Sequence, residues 1–148
     1  MRVLVLQGPN VNRLGQRGQL YGTVTLAQVQ ARLEEIAASH HTTLAHVVSN
    51  SQGALIDAVQ SADSVDAVLV NPGGLTNTGI ALRDAIEDVD VPTAVVHVTN
   101  ATRREAWRRR DVFADVADLY IAGAGAYGYV LALQGLHGPT EWLGRKSV

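Results

Sequence analysis

The chain has 148 residues, of which 47% are hydrophobic and 18% are charged, and its formal net charge at pH 7 is −2. This length corresponds to a single domain over residues 1–148, and the apolar content suffices for a buried core, which excludes a disordered chain. The near-neutral charge gives no reason to expect a nucleic acid or an anionic membrane as partner. A small-molecule substrate is therefore the expected ligand.

Cysteine is absent, and the single lysine is Lys146. The chain therefore has no thiolate nucleophile, no cysteine ligand for zinc and no core lysine for a Schiff base. The amino-terminal segment MRVLVLQGPN has no cleavage pattern of a signal peptide, and no stretch approaches the roughly 18 apolar residues of a spanning helix. We expect a cytoplasmic protein without a membrane segment.

Short apolar runs, rich in β-branched residues, alternate with helical patterns along the chain. In chain order the runs that predict strands are RVLVLQ, a weaker run over residues 44–49, DAVLVNP, PTAVVHV and DLYIAG. Helices between them are indicated by apolar residues that share a face, namely Leu26, Val29, Leu33 and Ile36, then Leu55, Ile56 and Val59, then Ala81, Leu82, Ala85, Ile86 and Val89. This alternation predicts an α/β fold, a flavodoxin-like open five-stranded parallel sheet with helices on both faces.

Polar residues mark the starts of these helices. Thr25 stands three residues before Gln28, and Ser49 three residues before Gln52, as in the capping boxes that open many helices. The third helix has its candidate caps in the run Thr76, Asn77 and Thr78. We therefore expect three well-defined helix starts.

Open parallel sheets bind ligands at the carboxyl ends of their strands, where the strand order reverses. Here those ends carry polar or glycine-rich segments: Gly8-Pro9-Asn10, Ser49-Asn50-Ser51, residues 71–74 (NPGG) and residues 97–100 (HVTN). A further segment, residues 15–22, is bounded by glycines and long enough to move as a lid. The candidate site is expected at this edge of the sheet.

Two motifs allow more than one interpretation. Residues 123–128 (GAGAYG) match the dinucleotide fingerprint G-x-G-x-x-G, but they follow the last predicted strand, so no further βαβ unit can follow. Close packing of strand and helix is favoured instead, and we expect no cofactor. The basic cluster around Trp107 matches a nucleic-acid footprint, but the overall charge favours one or two arginines that hold an anion in the pocket; its members are Arg103, Arg104, Arg108, Arg109 and Arg110.

Five histidines are present, and none forms the i, i+4 pair of a helical metal site: His40, His41, His46, His97 and His137. We therefore expect no metal. His97 differs from the others because a predicted strand carries it to the ligand-binding edge. A structural histidine is the alternative for such a residue when it stands alone.

Arg17 and Tyr21 lie four residues apart in the glycine-bounded segment. Tyrosine, with a pKa of about 10 in model peptides, is a poor base at neutral pH, but a nearby guanidinium favours the tyrosinate. The pair is therefore a candidate general base for a proton next to a carbonyl group. An ordinary pair of loop residues is the alternative.

Seven motifs occur in order over nearly the whole chain: Gly8-Pro9-Asn10, Arg17 with Tyr21-Gly22, Ser49-Asn50, residues 71–76 (NPGGLT), residues 81–84 (ALRD), His97 with Asn100, and Arg104 with Arg108. Together they closely resemble those of the type II 3-dehydroquinate dehydratases. The resemblance implies a flavodoxin-like subunit, usually assembled as a homo-oligomer, a dodecamer built from trimers. It also implies conversion of 3-dehydroquinate to 3-dehydroshikimate in the shikimate or quinate pathway, by anti elimination of water.

The resemblance implies roles for individual residues. Tyr21 removes the C2 proton beside the ketone, Arg17 lowers the pKa of Tyr21, Asn10 stabilises the enolate through a held water, and His97 protonates the departing C1 hydroxyl. The implied binding residues are Asn71 with the backbone amides of Val98 and Thr99 for the substrate carboxylate, Arg108 for a ring hydroxyl, and Asp84 for a contact across subunits. The unrelated type I enzyme needs a lysine Schiff base, which agrees with the single lysine near the end of this chain.

Several positions depart from the family pattern. Asn77 stands where the family normally has a histidine that touches the substrate's hydroxyls; asparagine can donate a hydrogen bond but cannot titrate. The lid over residues 17–22 is one residue shorter than usual and lacks a Glu and a Pro, Gln52 replaces a common Glu, and Thr102-Arg103 replaces His-Ala. Loss of one polar contact costs about 1–3 kcal/mol, so weaker activity and changed specificity are equally consistent with these departures.

Two other functions stay open on the sequence. Asn77 and the short lid suggest a paralogue that acts on a related cyclic hydroxy-keto acid. The glycine-rich strand ends suggest a non-catalytic flavodoxin-like module for a phosphate or nucleotide. The presence of both Tyr21 and His97 favours an enzyme over such a module.

Overall fold

The computed structural model describes residues 1–143, so Lys146 lies outside the described residues. Its five strands are β1 (Arg2–Gln7), β2 (Thr43–Val48), β3 (Ala67–Asn71), β4 (Thr93–His97) and β5 (Leu119–Ala122). All neighbouring strands are parallel, and the order across the sheet is β2-β1-β3-β4-β5. This is the doubly wound order of a flavodoxin-like fold, as the sequence predicts.

Four helices cover the two faces of the sheet. They are α1 (Leu26–Ser39) and α4 (Tyr127–Leu136) on one face, and α2 (Gln52–Gln60) and α3 (Ile80–Val89) on the other. Val3 and Val5 of β1 pack with α1 and α4, whereas Leu4 and Leu6 pack with α2 and α3, because successive side chains of a strand point to opposite faces. A strand covered on both faces has no polar side, which explains the continuous apolar runs. Within residues 1–143, no helix is long and apolar enough to cross a membrane.

The observed start of α1 agrees with the sequence, whereas that of α2 does not. The hydroxyl of Thr25 accepts a hydrogen bond from Gln28 N at 3.2 Å, and Thr25 N donates to Gln28 Oε1 at 2.9 Å. Helix α2 begins after Ser51, whose hydroxyl accepts from Ala54 N. The capping box predicted at Ser49 is wrong, because that hydroxyl accepts instead from Ser51 N at 3.0 Å and closes the preceding turn.

The start of α3 also differs from the prediction. Its N-cap is Gly79, without a side-chain cap, and the predicted caps over residues 76–78 lie in the preceding turn. The Thr76 hydroxyl donates to the Gly73 carbonyl at 2.7 Å and is therefore engaged elsewhere. A Cβ at position 79 would lie 3.0 Å from the Phe113 ring, so close packing rather than capping requires the small residue.

The segments after β1 and β3 cross closely because two glycines lack a Cβ. A Cβ at Gly8 would lie 2.2 Å from the Pro72 carbonyl oxygen. Gly73 has a φ of +54°, and a Cβ there would lie 2.4 Å from the Pro9 carbonyl oxygen. Glycine therefore lets the two segments meet at the carboxyl edge of the sheet.

Candidate active site

A cavity of about 250 Å³ lies at the carboxyl edge of the sheet. Nine of the ten predicted site residues line it: Asn10, Arg17, Tyr21, Asn71, Asn77, His97, Val98, Thr99 and Arg108. Arg104 also lines the cavity, and no aspartate or glutamate is among its described lining residues. Arg104 and Arg108 both pair with Glu105, which does not line the cavity. One carboxylate against three arginines leaves an excess of positive charge, which suits an anionic ligand.

Asp84 is the predicted site residue that does not line the cavity. It lies on the exposed side of α3, where its carboxylate is 3.0 Å from Arg83 Nη1. The structure therefore separates it from the other nine residues. Its contact across subunits stays a prediction.

Tyr21 lies in a short 3-10 turn of the lid segment, between two arginines. The Arg17 guanidinium stacks over the ring, 4.1 Å from its centroid, so the predicted pair is in contact. The hydroxyl oxygen has a different partner, because Arg104 Nη1 donates to it at 2.9 Å. Arg104 is 83 residues away in the chain. The sequence marks it as a member of the arginine cluster and of the family motifs, but not as a partner of Tyr21. Tyr21 is therefore contacted by two cations, one at the ring face and one at the oxygen.

Asn10 is held in a left-handed backbone conformation at the cavity wall, with a φ of 70°. Its backbone N–H donates to Asn50 Oδ1 at 2.9 Å, which ties the segment after β1 to the segment after β2. Non-glycine residues in this conformation are uncommon and cluster at functional sites. The structure thus explains why Asn50 accompanies Asn10 in the sequence pattern.

His97 ends β4, and its ring is buried. Its Nε2 lies 2.6 Å from Asp111 Oδ2, and the side chains are only 8% and 7% exposed respectively. Nδ1 is consequently the ring nitrogen left for the cavity. Asp111 was not identified from the sequence. It directly follows a run of arginines, and no spacing pattern links that position to His97 at the end of a strand.

Two opposing effects set the ionisation of Asp111. Burial raises the pKa of its carboxyl group, but hydrogen bonds from His97, from the Phe113 backbone and from Tyr120 lower it more, so the pKa lies below its ordinary value. The pKa of Tyr120 is raised by burial and by its hydrogen bond to this carboxylate. Asp111 is therefore ionised and Tyr120 neutral at physiological pH.

Asn71 is oriented by a buried chain of hydrogen bonds. Its Nδ2 donates to the Tyr129 hydroxyl at 2.7 Å, and that hydroxyl donates to Gln7 Oε1 at 2.8 Å. Asn71 Oδ1 accepts from Gly73 N at 3.0 Å, and burial raises the pKa of Tyr129. One Nδ2 hydrogen of Asn71 is left for a ligand. Tyr129 has no signal in the sequence, because it occupies an apolar position of α4.

Asn77 is engaged with backbone rather than free to donate to a ligand. Its Nδ2 donates to the carbonyls of Trp107 and Arg110, at 2.9 and 2.6 Å. Because an amide carries two hydrogens, only Oδ1 remains for a ligand, so the donation expected from the sequence is not available. The two bonds hold the segment that carries Arg108, whose guanidinium lies 4.2 Å from the centroid of the Trp107 ring.

The glycine-rich segment after β5 packs against the sheet. A Cβ at Gly128 would lie 3.3 Å from Val96 of β4, which agrees with the packing interpretation. Gly123 N and Gly125 N donate to the carbonyls of His97 and Val98, so the segment supports the end of β4. Over residues 1–143, no three histidine, aspartate or glutamate side chains gather to hold a metal ion.

The fold and the cavity together define a flavodoxin-like α/β protein whose cavity brings a tyrosine and a histidine together with three arginines. Residues 1–137 match the family model of the class II dehydroquinases. The chain belongs to this family, as the sequence motifs predict.

Individual relatives agree over most of their length. A 3-dehydroquinate dehydratase of Roseiflexus castenholzii is 46% identical over 140 residues, which cover 93% of this chain and 89% of that protein. A catabolic 3-dehydroquinase of Penicillium rubens is 44% identical over 134 residues, 89% of this chain and 86% of that protein. The crystal structure of a type II dehydroquinase from Butyrivibrio crossotus has a TM-score of 0.89 and 33% identity, over 93% of this chain and 98% of that chain.

Proposed function

We propose that this chain is a 3-dehydroquinate dehydratase, a hydro-lyase that converts 3-dehydroquinate to 3-dehydroshikimate. The observation that carries the proposal is one cavity that contains both Tyr21, contacted by two arginines, and His97, paired with Asp111. The substrate is a carboxylate, which suits an electropositive cavity. The names of the relatives support the same activity.

The proposed elimination is anti and stepwise. The Tyr21 oxygen, as phenolate, takes the C2 proton beside the ketone, and the electron pair moves to the ketone oxygen to form an enolate. Asn10 stabilises that oxygen through a held water. His97 then gives a proton to the C1 hydroxyl, the C1–O bond breaks as the C1–C2 double bond forms, and water leaves.

The proposed substrate contacts follow from the lining of the cavity. Asn71, with its free Nδ2 hydrogen, and the backbone amides of Val98 and Thr99 bind the carboxylate. Arg108 binds a ring hydroxyl. All four residues line the cavity.

We also propose that the enzyme forms a homo-oligomer, a dodecamer built from trimers, with Asp84 at a contact between subunits. Exposed apolar side chains such as Ile80 at the start of α3 support an interface on that face. Light scattering after size exclusion tests this, with twelve chain masses expected and a smaller particle for Asp84→Arg. A cytoplasmic location and a place in the shikimate or quinate pathway belong to the same proposal, and cell fractionation tests the location.

The activity is tested by mixing purified protein with 3-dehydroquinate and following the ultraviolet absorbance of the conjugated enone product. Tyr21→Phe should abolish turnover with an unchanged circular dichroism spectrum. The matched control is Tyr127→Phe, because Tyr127 is 61% exposed and lies outside the cavity. No product at high enzyme concentration would contradict the activity, and near-normal turnover of Tyr21→Phe would contradict the assignment of the base.

The engaged amide of Asn77 favours one second candidate, a dehydratase for a related cyclic hydroxy-keto acid. Position 77 has no hydrogen-bond donor left for the substrate's hydroxyls. A substrate with a different arrangement of hydroxyl groups is then favoured. Comparing kcat/KM for 3-dehydroquinate with that for analogues that lack one hydroxyl separates the two. A higher value for an analogue would support the second candidate.

A further inference from the structure

We propose that Asp111 is a positioning residue that sets the orientation and the protonation state of His97. The role of His97 as the acid rests on the proposed function, whereas the contact itself does not. Asp111 is not among the residues that line the cavity, so it acts through His97 and not on the substrate. The two side chains are 2.6 Å apart, and both are nearly inaccessible to solvent.

The carboxylate of Asp111 is itself held in place. Its Oδ1 accepts from Phe113 N at 2.9 Å, and Phe113 is fully buried in the core. Its Oδ2 accepts from the Tyr120 hydroxyl at 2.8 Å as well as from His97. The Tyr120 ring also packs against the His97 ring, with centroids 5.4 Å apart and planes tilted by 50°. The carboxylate and the imidazole therefore hold one another in a single arrangement.

This arrangement assigns the two ring nitrogens. A carboxylate only accepts hydrogen bonds, so His97 Nε2 carries a hydrogen toward Asp111 and Nδ1 faces the cavity. To give up a proton from Nδ1, the ring must start as imidazolium, and a carboxylate at 2.6 Å stabilises that cation. After the transfer, the Nε2–H of the neutral ring is still hydrogen-bonded to Asp111, so the ring does not have to rotate or change its tautomer.

The charges around His97 show why a carboxylate is needed there. Arg17, Arg104 and Arg108 line the same cavity, whereas Glu105, which pairs with Arg104 and Arg108, does not line it. Tyr21 in the cavity and Tyr120 beside the ring are the neighbouring phenols. Within residues 1–143, Asp111 is the carboxylate that forms an ion pair with His97. The negative charge of Asp111 therefore offsets the positive charge of the arginines at His97, the ring that has to be cationic.

The test is Asp111→Asn, which keeps an oxygen for Phe113 N but places an amide donor opposite His97 Nε2. The neutral His97 ring then carries its hydrogen on Nδ1. Donation of that hydrogen to the substrate would leave an unstable imidazolate. We expect kcat to fall by about 10- to 100-fold with KM changed by less than about twofold. We also expect the alkaline limb of the pH–kcat profile to move to lower pH. The matched control is Asp115→Asn, an exposed aspartate in the same segment that pairs with Arg83, which should leave kcat and the profile unchanged.

A second readout does not depend on turnover. Long-range ¹H–¹⁵N spectra at alkaline pH should show the His97 hydrogen on Nε2 in the wild type and on Nδ1 in Asp111→Asn, with signals assigned by their loss in His97→Gln. If the wild type does not turn over 3-dehydroquinate, the proposed function fails, and these spectra still decide the role of Asp111. The same ring tautomer in both proteins, a kcat of Asp111→Asn within about twofold of wild type, or an equal loss in Asp115→Asn would overturn the proposal.

Discussion

Arg104 Nη1 donates a hydrogen bond of 2.9 Å to the hydroxyl oxygen of Tyr21. Arg17 contacts the same side chain at its ring face, 4.1 Å from the centroid. A charge-assisted hydrogen bond to the oxygen acts where negative charge develops, whereas a cation over the ring acts on the aromatic quadrupole. Arg104 is therefore the principal partner of the proposed base, and Arg17 the secondary one.

Replacing Arg104 tests this order. We expect Arg104→Gln, which keeps an N–H donor but loses the charge, to lower kcat by about 10- to 100-fold, and Arg17→Gln to lower it less. Arg103→Gln removes an exposed neighbouring arginine and should leave kcat unchanged. Initial rates of enone formation give kcat for all three variants. A larger loss in Arg17→Gln than in Arg104→Gln would refute the order.

Asn77 is tested by two substitutions of different shape. Asn77→Asp keeps the shape but replaces Nδ2, which donates to the carbonyls of Trp107 and Arg110, with an oxygen that can only accept. We therefore expect the free energy of unfolding to fall by about 2 kcal/mol or more. Asn77→His can restore one donor at most, so we expect a loss of about 1 kcal/mol and a higher KM as the segment with Arg108 shifts. Urea denaturation and KM measure these effects. A lower KM in Asn77→His would instead identify Asn77 as a weakened substrate contact.

Two glycines should respond to alanine in opposite directions. A Cβ at Gly8 meets the Pro72 carbonyl oxygen at 2.2 Å, so Gly8→Ala should lower the free energy of unfolding by about 2 kcal/mol or more. Gly53 lies in α2, where the nearest atom to an added Cβ is the Ser51 hydroxyl at 3.7 Å, so Gly53→Ala should raise it by about 0.5 kcal/mol. Chemical denaturation compares the two. If both variants changed the free energy of unfolding by the same amount, the segments around Gly8 would have moved apart to accept the Cβ without a loss of stability.

His137 makes stability depend on pH. Burial lowers the pKa of its ring, as do the positive charges of His40, which stacks on it at 4.1 Å, and of the amino terminus. Between this lowered pKa and the unfolded value of about 6.5, the folded chain binds fewer protons than the unfolded chain. The stabilising contribution is therefore complete above about pH 6.5 and is lost as the pH falls toward the folded pKa.

We accordingly expect the free energy of unfolding to be lower at pH 5.5 than at pH 7.5, and this difference to be smaller in His137→Gln. Glutamine retains a group that can bond the Thr42 hydroxyl, which is 2.9 Å from His137 Nε2. Urea denaturation at the two pH values gives both differences. An unchanged pH dependence in the variant would exclude His137 as the source.

The elements of the fold were predictable, but several helix details were not. Strands buried on both faces appear as continuous apolar runs, and the capping box at Thr25 is a local pattern of four residues. The starts of α2 and α3 were predicted wrongly because Ser49 and Thr76 have hydroxyls with more than one possible partner, and both bond within turns. Ala81 belongs to the predicted apolar face of α3 but is exposed, while Leu82, Ala85 and Ile86 are buried as predicted.

The residue pattern of the chain was sufficient to predict the fold class, the edge of the sheet that carries the cavity, and the presence there of Asn10, Tyr21 and His97. Local periodicity and the position of a residue after a strand suffice for the fold, for Asn10 and for His97. Tyr21 is indicated instead by its spacing from Arg17 and by the family motifs. The hydrogen-bond partners of the site residues became visible only in the folded chain. They are Arg104 for Tyr21, Asp111 for His97, Tyr129 for Asn71, and two backbone carbonyls for Asn77. These contacts join residues far apart in the chain, because segments that follow different strands meet at one edge, and no short-range pattern records which side chains then lie within hydrogen-bond distance.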